Sequence, residues 1–533
     1  MRFIANHLKE ALLAGAFCLA LFGCKTKDKV YDDPYAGGRI PLGIKMSTDL
    51  PSPEVGSPGS TVTYKVTGLL PYKDSLTFYL NNEPAQILAV DSTSIKVKVP
   101  ENASTGVGSI TVGDEIYFGS VFKVNGNVSL DDNFKALVGA NGSISDALQL
   151  SDSRLIFVGT FTDFEHKGAV KPLNRIVMTS KDGEVDRSLQ SGIGADGYLN
   201  SITTLPNGKI VIGGGFSSYD THLGQIHNIT ILNQNGSLDS IVVRTFLDQD
   251  TVPAFNGGTD GNIGKAFVKG NTITAIGNFS YYLQYIYDQP NYSKERDTLI
   301  TDSVRVKSLV RFFADGSLDS SFNYDFQHHM SYEGPNGPIF DAFMQEDGKL
   351  IIVGRFTKYN GENVNDIVRL NDDGTIDRNF KVGNGADNSI STIRYNAVLH
   401  RFILAGAFEN FDGKPHSGLV LLKEDGSVDE TFKPAPKGPS NYYGFAQQLS
   451  NGMVIVSGYF TEHEGIHRGN FMILDKTGAL AKGYNNLGDL KGGVLSAFET
   501  RSSSNKMLVT IMGGFTKINE QSAGSITRLI FNK

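Results

Sequence analysis

The sequence predicts an all-β chain: a small β-sandwich, then a seven-bladed β-propeller closed by a strand taken from its own N-terminal side. Three observations predict this. The 533 residues hold 60 Gly, 33 Phe and 21 Tyr, a composition of short strands and turns rather than helices. Residues 41–124 alternate apolar and polar side chains with period two. Residues 125–533 repeat one unit seven times. At 40 % hydrophobic and 20 % charged residues the chain can bury a core, which excludes a disordered protein. A net charge of −7 argues against a nucleic-acid partner. Two Cys exclude a disulfide framework or a cysteine-based zinc cluster.

The N-terminus reads as an address. Arg2 and Lys9 flank an apolar run over residues 11–22, too short to span a bilayer. The run ends Leu21-Phe22-Gly23-Cys24, which resembles a bacterial lipobox. The resemblance implies a signal peptide over 1–23 and a lipid anchor on Cys24, followed by a polar tether over 24–40. Asp28, soon after that Cys, resembles the surface-export signal of Bacteroidota lipoproteins.

In the sandwich region, Val62, Tyr64 and Val66 alternate with Thr63, Lys65 and Thr67, and Ile95, Val97 and Val99 with Lys96 and Lys98. Each segment is a strand with one wet face. Pro58-Gly59-Ser60-Thr61-Val62, Val66-Thr67-Gly68, residues 94–100 and Ala103-Ser104-Thr105-Gly106 resemble an immunoglobulin-like IPT/TIG domain. Such a domain implies a spacer or interaction module between anchor and body.

The repeat has two markers. A Gly-x-Phe follows an apolar run at Gly159, Gly214, Gly277, Gly354, Gly406, Gly458 and Gly513, at separations of 55, 63, 77, 52, 52 and 55 residues. An Asp-Gly-Ser-Leu-Asp-like turn follows most copies, as in Asp315 to Asp319 and Asp373 to Asp377, and decays to Thr477-Gly478-Ala479-Leu480-Ala481 in the sixth. Four strands are expected per unit, in the fourth copy over 338–345, 349–354, 366–371 and 375–380. The seventh copy lacks its last turn and strand, and residues 125–134 supply the missing piece. That exchange removes an open sheet edge. The copies resemble the delta-60-repeat propeller family. With the lipobox and IPT/TIG-like region, the chain resembles a Bacteroidota surface lipoprotein found beside glycan-uptake systems.

The resemblance implies an outer-membrane, outward-facing lipoprotein. It implies non-catalytic binding of a polysaccharide or oligosaccharide, with a transporter complex as a further partner and no cofactor. A protein-interaction scaffold and, less favoured, a propeller lyase or glycosidase are the alternatives. Tight strand-to-strand turns such as Asp347-Gly348 share one face of the ring, so the longer links share the other and carry binding. The third copy holds an insertion over about 280–304 with Tyr281, Tyr282, Tyr285, Tyr287 and Tyr292. The link after it holds Tyr324, Phe326, His328, His329 and Tyr332. A tyrosine ring stacks on a sugar's C–H face while its hydroxyl bonds sugar hydroxyls, so these ten residues are the candidate ligand site. Packing of the insertion onto the ring is the competing account of the same rings. Tyr442 and Tyr443 form a weaker candidate.

Three motifs mislead. His463-Glu464-Gly465-Ile466-His467 fits a zinc signature only on a helix, and here it occupies a repeat loop. Gly192 to Gly197 fits a dinucleotide fingerprint but lies between antiparallel strands. Asn371-Asp372-Asp373-Gly374 would place Arg369 at position one of a calcium loop. No catalytic residue and no metal ligand is assigned, and a calcium ion elsewhere is left open.

Overall fold

The computed structural model describes residues 41–246, 248–288 and 300–532. Cys24, residues 1–40 with their expected signal and tether, and Tyr292 lie outside them. The protein is all-β. Its sole helical element among the described residues is a 3-10 turn at Leu70–Tyr72. No described helix is long and apolar enough to cross a membrane.

The first body is one eight-stranded sheet curled on itself like a sandwich, its two halves joined where Leu76–Leu80 pairs with Glu83–Val90. Strands Thr61–Thr67, Ser94–Lys98 and Glu83–Val90 pair on one side, and Leu76–Leu80, Gly106–Val112 and Glu115–Val124 on the other. The alternation does what period two requires. Val62, Tyr64, Val66, Ile95 and Val97 point inward at 0–2 % exposure, with Tyr64 against Phe78 at 5.0 Å.

Seven antiparallel sheets of three or more strands follow among the described residues, with six two-stranded hairpins between them. In chain order their inner strands are Ile144–Gln149, Tyr198–Thr204, Asn262–Lys269, Ile339–Met344, Ile390–Asn396, Tyr442–Gln448 and Leu490–Arg501. We number the sheets as blades 1 to 7. The second strand of each is apolar on both faces because each blade is packed between two others. In blade 1, Ile156 and Val158 meet Ile202 and Ile212 of blade 2, while Phe157 meets Met512 and Ile526 of blade 7. Equivalent clusters join every successive pair, so the packing returns on itself.

Blade 7 is completed from the start of the repeat region. Val128–Leu130 lies antiparallel to Ile526–Phe531, with Val128 opposite Phe531 and Leu130 opposite Leu529. Asp131 then accepts Arg528 Nε at 2.6 Å, and both side chains are buried. The Arg528 guanidinium also donates to Lys181 O and Asp182 of blade 1, each at 2.9 Å, and lies 4.9 Å from the Phe134 ring centre. One arginine thus joins the N-terminal segment, blade 7 and blade 1.

The fourth strand is shorter than expected. In blade 4 it shrinks to one bridge, Leu370 to Ile376. Asp377 ends it: one carboxylate oxygen accepts Asn379 N, and the other accepts Arg369 Nε at 2.8 Å and Lys349 Nζ at 2.9 Å. The same Asp is ion-paired in other blades, as Arg154–Asp186, Lys209–Asp239, Arg311–Asp319 and Arg401–Asp429. The first Asp caps the turn with both bonds on one oxygen, as Asp315 does for Ser317 N and Oγ, whereas the last Asp caps the next turn and is ion-paired as well. Gly316 between them has φ +92, and a Cβ there would fall 2.5 Å from Asn256.

The sandwich is fixed to blades 6 and 7 rather than free. Asn486 is the hub: its Nδ2 donates to Val124 O and Val128 O, and its carbonyl accepts Thr105 N. Asn81 donates to Asp489 at 3.2 Å, Arg468 to Asn102 O at 3.1 Å, and His467 N to Glu83.

Candidate functional site on the loop face

Blade by blade, the loop face is first of all scaffold. An Asn or Asp before the inner strand accepts two successive amides of the loop after Gly-x-Phe. Asn141, Asp196, Asp260, Asn336 and Asp387 do this at 2.8–3.0 Å. Burial opposes charge on Asp387, but the amides of Asn410 and Glu409 and the Asn410 side chain outweigh it and hold the carboxyl below its usual range. These carboxylates are fastenings.

Three residues past each Gly-x-Phe the chain buries a large side chain: Phe164, Tyr219, Tyr282, Tyr359, Phe411, His463 and Ile518, at 0–3 % exposure. Tyr282 therefore belongs to the repeat and not to the insertion. Its hydroxyl donates to Gly316 O at 3.1 Å, as Tyr219 donates to Gly236 O and Tyr359 to Gly374 O. Tyr359→Phe is expected to cost about 1 kcal/mol by losing that bond, against less than about 0.5 kcal/mol for the exposed Tyr281→Ala. Urea unfolding of the two variants checks the contrast.

The insertion itself is a β-hairpin, Tyr281–Ile286 against Ile300–Arg305. Tyr285 stacks on His227 of blade 2 with ring centres 4.4 Å apart, and its hydroxyl donates to Gly224 O at 3.0 Å. Tyr287 packs on Tyr285 at 6.0 Å. Burial raises the pKa of both phenols. These two rings hold the hairpin to blade 2, which is the packing account rather than the ligand account.

The remaining candidates gather toward the end of the hairpin where Tyr281 pairs with Arg305. Tyr281 is opposite Arg305, and Arg305 donates to Met330 Sδ and pairs with Glu333 at 3.1 Å, next to Tyr332. A second small hairpin, Tyr324–Asp325 with Met330–Ser331, carries Phe326 edge-on to Tyr324 at 5.3 Å. Tyr281, Phe326 and Tyr332 are 44, 66 and 50 % exposed. His328 and His329 are exposed, with His328 Nδ1 2.6 Å from Asp325. The Asp325 carboxyl is held low chiefly by that contact. Of the weaker pair, Tyr443 is fully buried, and Tyr442 reaches Ser391 Oγ at 2.6 Å.

The zinc-like motif forms a hairpin, Glu462–His463 with Ile466–His467. His463 Nδ1 faces the Tyr443 hydroxyl at 3.1 Å, whereas His467 Nε2 faces Asp489 at 2.9 Å, so the imidazoles have separate tasks. Among the described residues no group of three or more His, Cys, Asp or Glu could hold a metal.

Two family models match the chain in part. DUF5008, a domain of unknown function, matches residues 22–120. DUF5122, a β-propeller domain of unknown function, matches 298–322, 345–380 and 401–432, in blades 3 to 5, and each match takes in the buried turn Asp. No curated protein matches. Solved structures similar to this chain include the WD40 propeller domain of Doa1, at 13 % identity over 76 % of this chain and 98 % of that one, TM-score 0.41. Sqt1 of Saccharomyces cerevisiae is 10 % identical over 73 % and 96 %, TM-score 0.40. An auxiliary nutrient binding protein from Bacteroides ovatus is 12 % identical over 68 % and 94 %, TM-score 0.21. At these scores the structural likenesses carry no functional argument.

Proposed function

We propose that this protein is a cell-surface lipoprotein, anchored through Cys24 to an outer membrane, that binds carbohydrate without performing chemistry on it. In this reading an IPT/TIG-like sandwich and a closed seven-bladed propeller form one rigid platform for an uptake complex. One observation carries it: Tyr281 and Tyr332 stay exposed beside Arg305 and Glu333, and Phe326 stays exposed on the small hairpin that follows, while neighbouring rings are committed to packing. Exposed aromatics flanked by fixed charges suit a sugar's mixed apolar and hydroxylated faces. Affinity electrophoresis against a panel of neutral polysaccharides tests it. At least one glycan should retard the protein, and Tyr281→Ala with Tyr332→Ala should weaken that retardation roughly tenfold or more. No retardation by any glycan would count against the reading.

A protein-interaction scaffold is favoured by a separate feature, Ile116 and Phe118, 56 and 69 % exposed on strand Glu115–Val124 of the sandwich. A stoichiometric partner lost on Phe118→Ser, with the tyrosine variant unaffected, would support it.

A further inference from the structure

The turn face of the ring carries a depression of its own at the seam where blade 7 meets blade 1. It encloses about 410 Å³, within the range of small-ligand sites. Blade 7 builds one wall. Counted from the bulge that every inner strand shares, its inner strand runs six residues to Arg501, where the others run four or five. At about 3.3 Å per residue, the tip Ser502-Ser503-Ser504 stands proud of the neighbouring turns. The other wall is the Lys181-Asp182 turn of blade 1, and Phe498 and Ile530 give a partly apolar floor.

The charges do not balance. Lys181, Arg501, Lys506 and Arg528 line the cleft against Asp131 and Asp182. Both carboxylates are already committed to Arg528, at 2.6 and 2.9 Å. Lys181 is 70 % exposed and 3.6 Å from Asp182, whose charge Arg528 already shares. The contact of Lys506 Nζ is the neutral Asn532 Oδ1 at 3.4 Å. Arg501 is shared between Glu499 and Ser450. In a chain of net charge −7, this cleft offers surplus cations, serine and threonine hydroxyls and an aromatic floor.

The geometry points to a second carbohydrate site in this cleft, specific for acidic sugars: Lys181 and Lys506 take the anionic group, and the ring lies toward Phe498. The inference rests on the carbohydrate reading above but on different residues and on the opposite face. Charge-assisted hydrogen bonds supply affinity, and anions in a partly enclosed cleft are screened less than at an open surface.

Calorimetry on the full chain decides it, with a linear trigalacturonate, neutral maltotriose and inorganic sulfate as probes. Trigalacturonate should bind, weaken in 0.5 M salt, and lose about tenfold in affinity with Lys506→Ala or Lys181→Ala. Both lysines are surface groups, and circular dichroism should show both variants folded. Tyr281→Ala with Tyr332→Ala should leave this binding unchanged. Absence of trigalacturonate binding, or binding indifferent to both lysines, overturns the inference. Sulfate binding as tightly as the sugar overturns the carbohydrate class. A neutral glycan held through the tyrosines with no uronate bound would sink this site alone, and no saccharide bound anywhere would sink both.

Discussion

Asp131→Ala is expected to destabilise the folded chain by about 2–3 kcal/mol, because it leaves the buried Arg528 guanidinium with the half-exposed Asp182 as its remaining carboxylate. The figure is large for one exposed-looking polar residue in sequence, and its cause is position. Arg528 Nε is 2.6 Å from Asp131, and the same guanidinium reaches Lys181 O and Asp182 across the seam. Val128–Leu130 contributes three residues of pairing to blade 7, and Asn127 and Val128 are tied to Gly483, Asn532 and Asn486, so the Asp131 pair fastens the end of the segment that leads into blade 1. Loss of the pair should therefore also expose residues 125–134 to protease. A double-mutant cycle separates pairing from burial. With Arg528→Met in place, adding Asp131→Ala should cost much less than it does alone. Unchanged denaturant midpoints for Asp131→Ala would show that the seam is held by its apolar contacts, with Phe134, Met512 and Ile526 sufficient.

The ring was legible because its two markers encode backbone needs. Gly316, in the left-handed region and against Asn256, cannot be replaced by another residue without strain, and Gly-x-Phe places a ring in each blade interface. The closing segment was legible because blade 7 visibly lacked a strand. The second role of the last turn Asp was not: nothing local says that Asp377 meets Arg369 and Lys349 as well as accepting Asn379 N. The sandwich contacts were hidden for a similar reason, since Asn81 meets Asp489 from about four hundred residues away. In the candidate site, Tyr282 was miscounted as insertion although the series Phe164, Tyr219, Tyr359 and Phe411 marked its place. Tyr285 could not be separated from Tyr281 by sequence, because both are tyrosines on one strand and only the fold puts His227 under the first.

The second large effect is expected from acid. His416 and His463 are buried and His227 half-buried, and desolvation is the leading cause that depresses each below its ordinary 6.5. A group with a depressed folded pKa takes up its proton more readily when unfolded. Its contribution is complete above the unfolded value and is lost as pH falls from there through the folded value. Stability should thus be level above pH 7 and decline as pH falls below 6.5. A second decline should begin near pH 4. Burial works against charge on Asp319, Asp377 and Asp429, but hydrogen bonds from Ser321, Asn379 and Thr431 and the paired cations outweigh it and hold all three low. Asp146 and Asp366 act in the opposite sense, since burial raises both and their protonated forms suit the fold. Two such groups offset part of the loss as pH falls. Each histidine is worth up to about 1.4 kcal/mol per pH unit across its window. Scanning calorimetry from pH 8 to 3 should show both declines, and His463→Gln should flatten the upper one by about a third. A melting temperature level from pH 7.5 down to 5 would mean that the three imidazoles gain protons in the folded state as easily as in the unfolded one, and that the pockets holding them admit water.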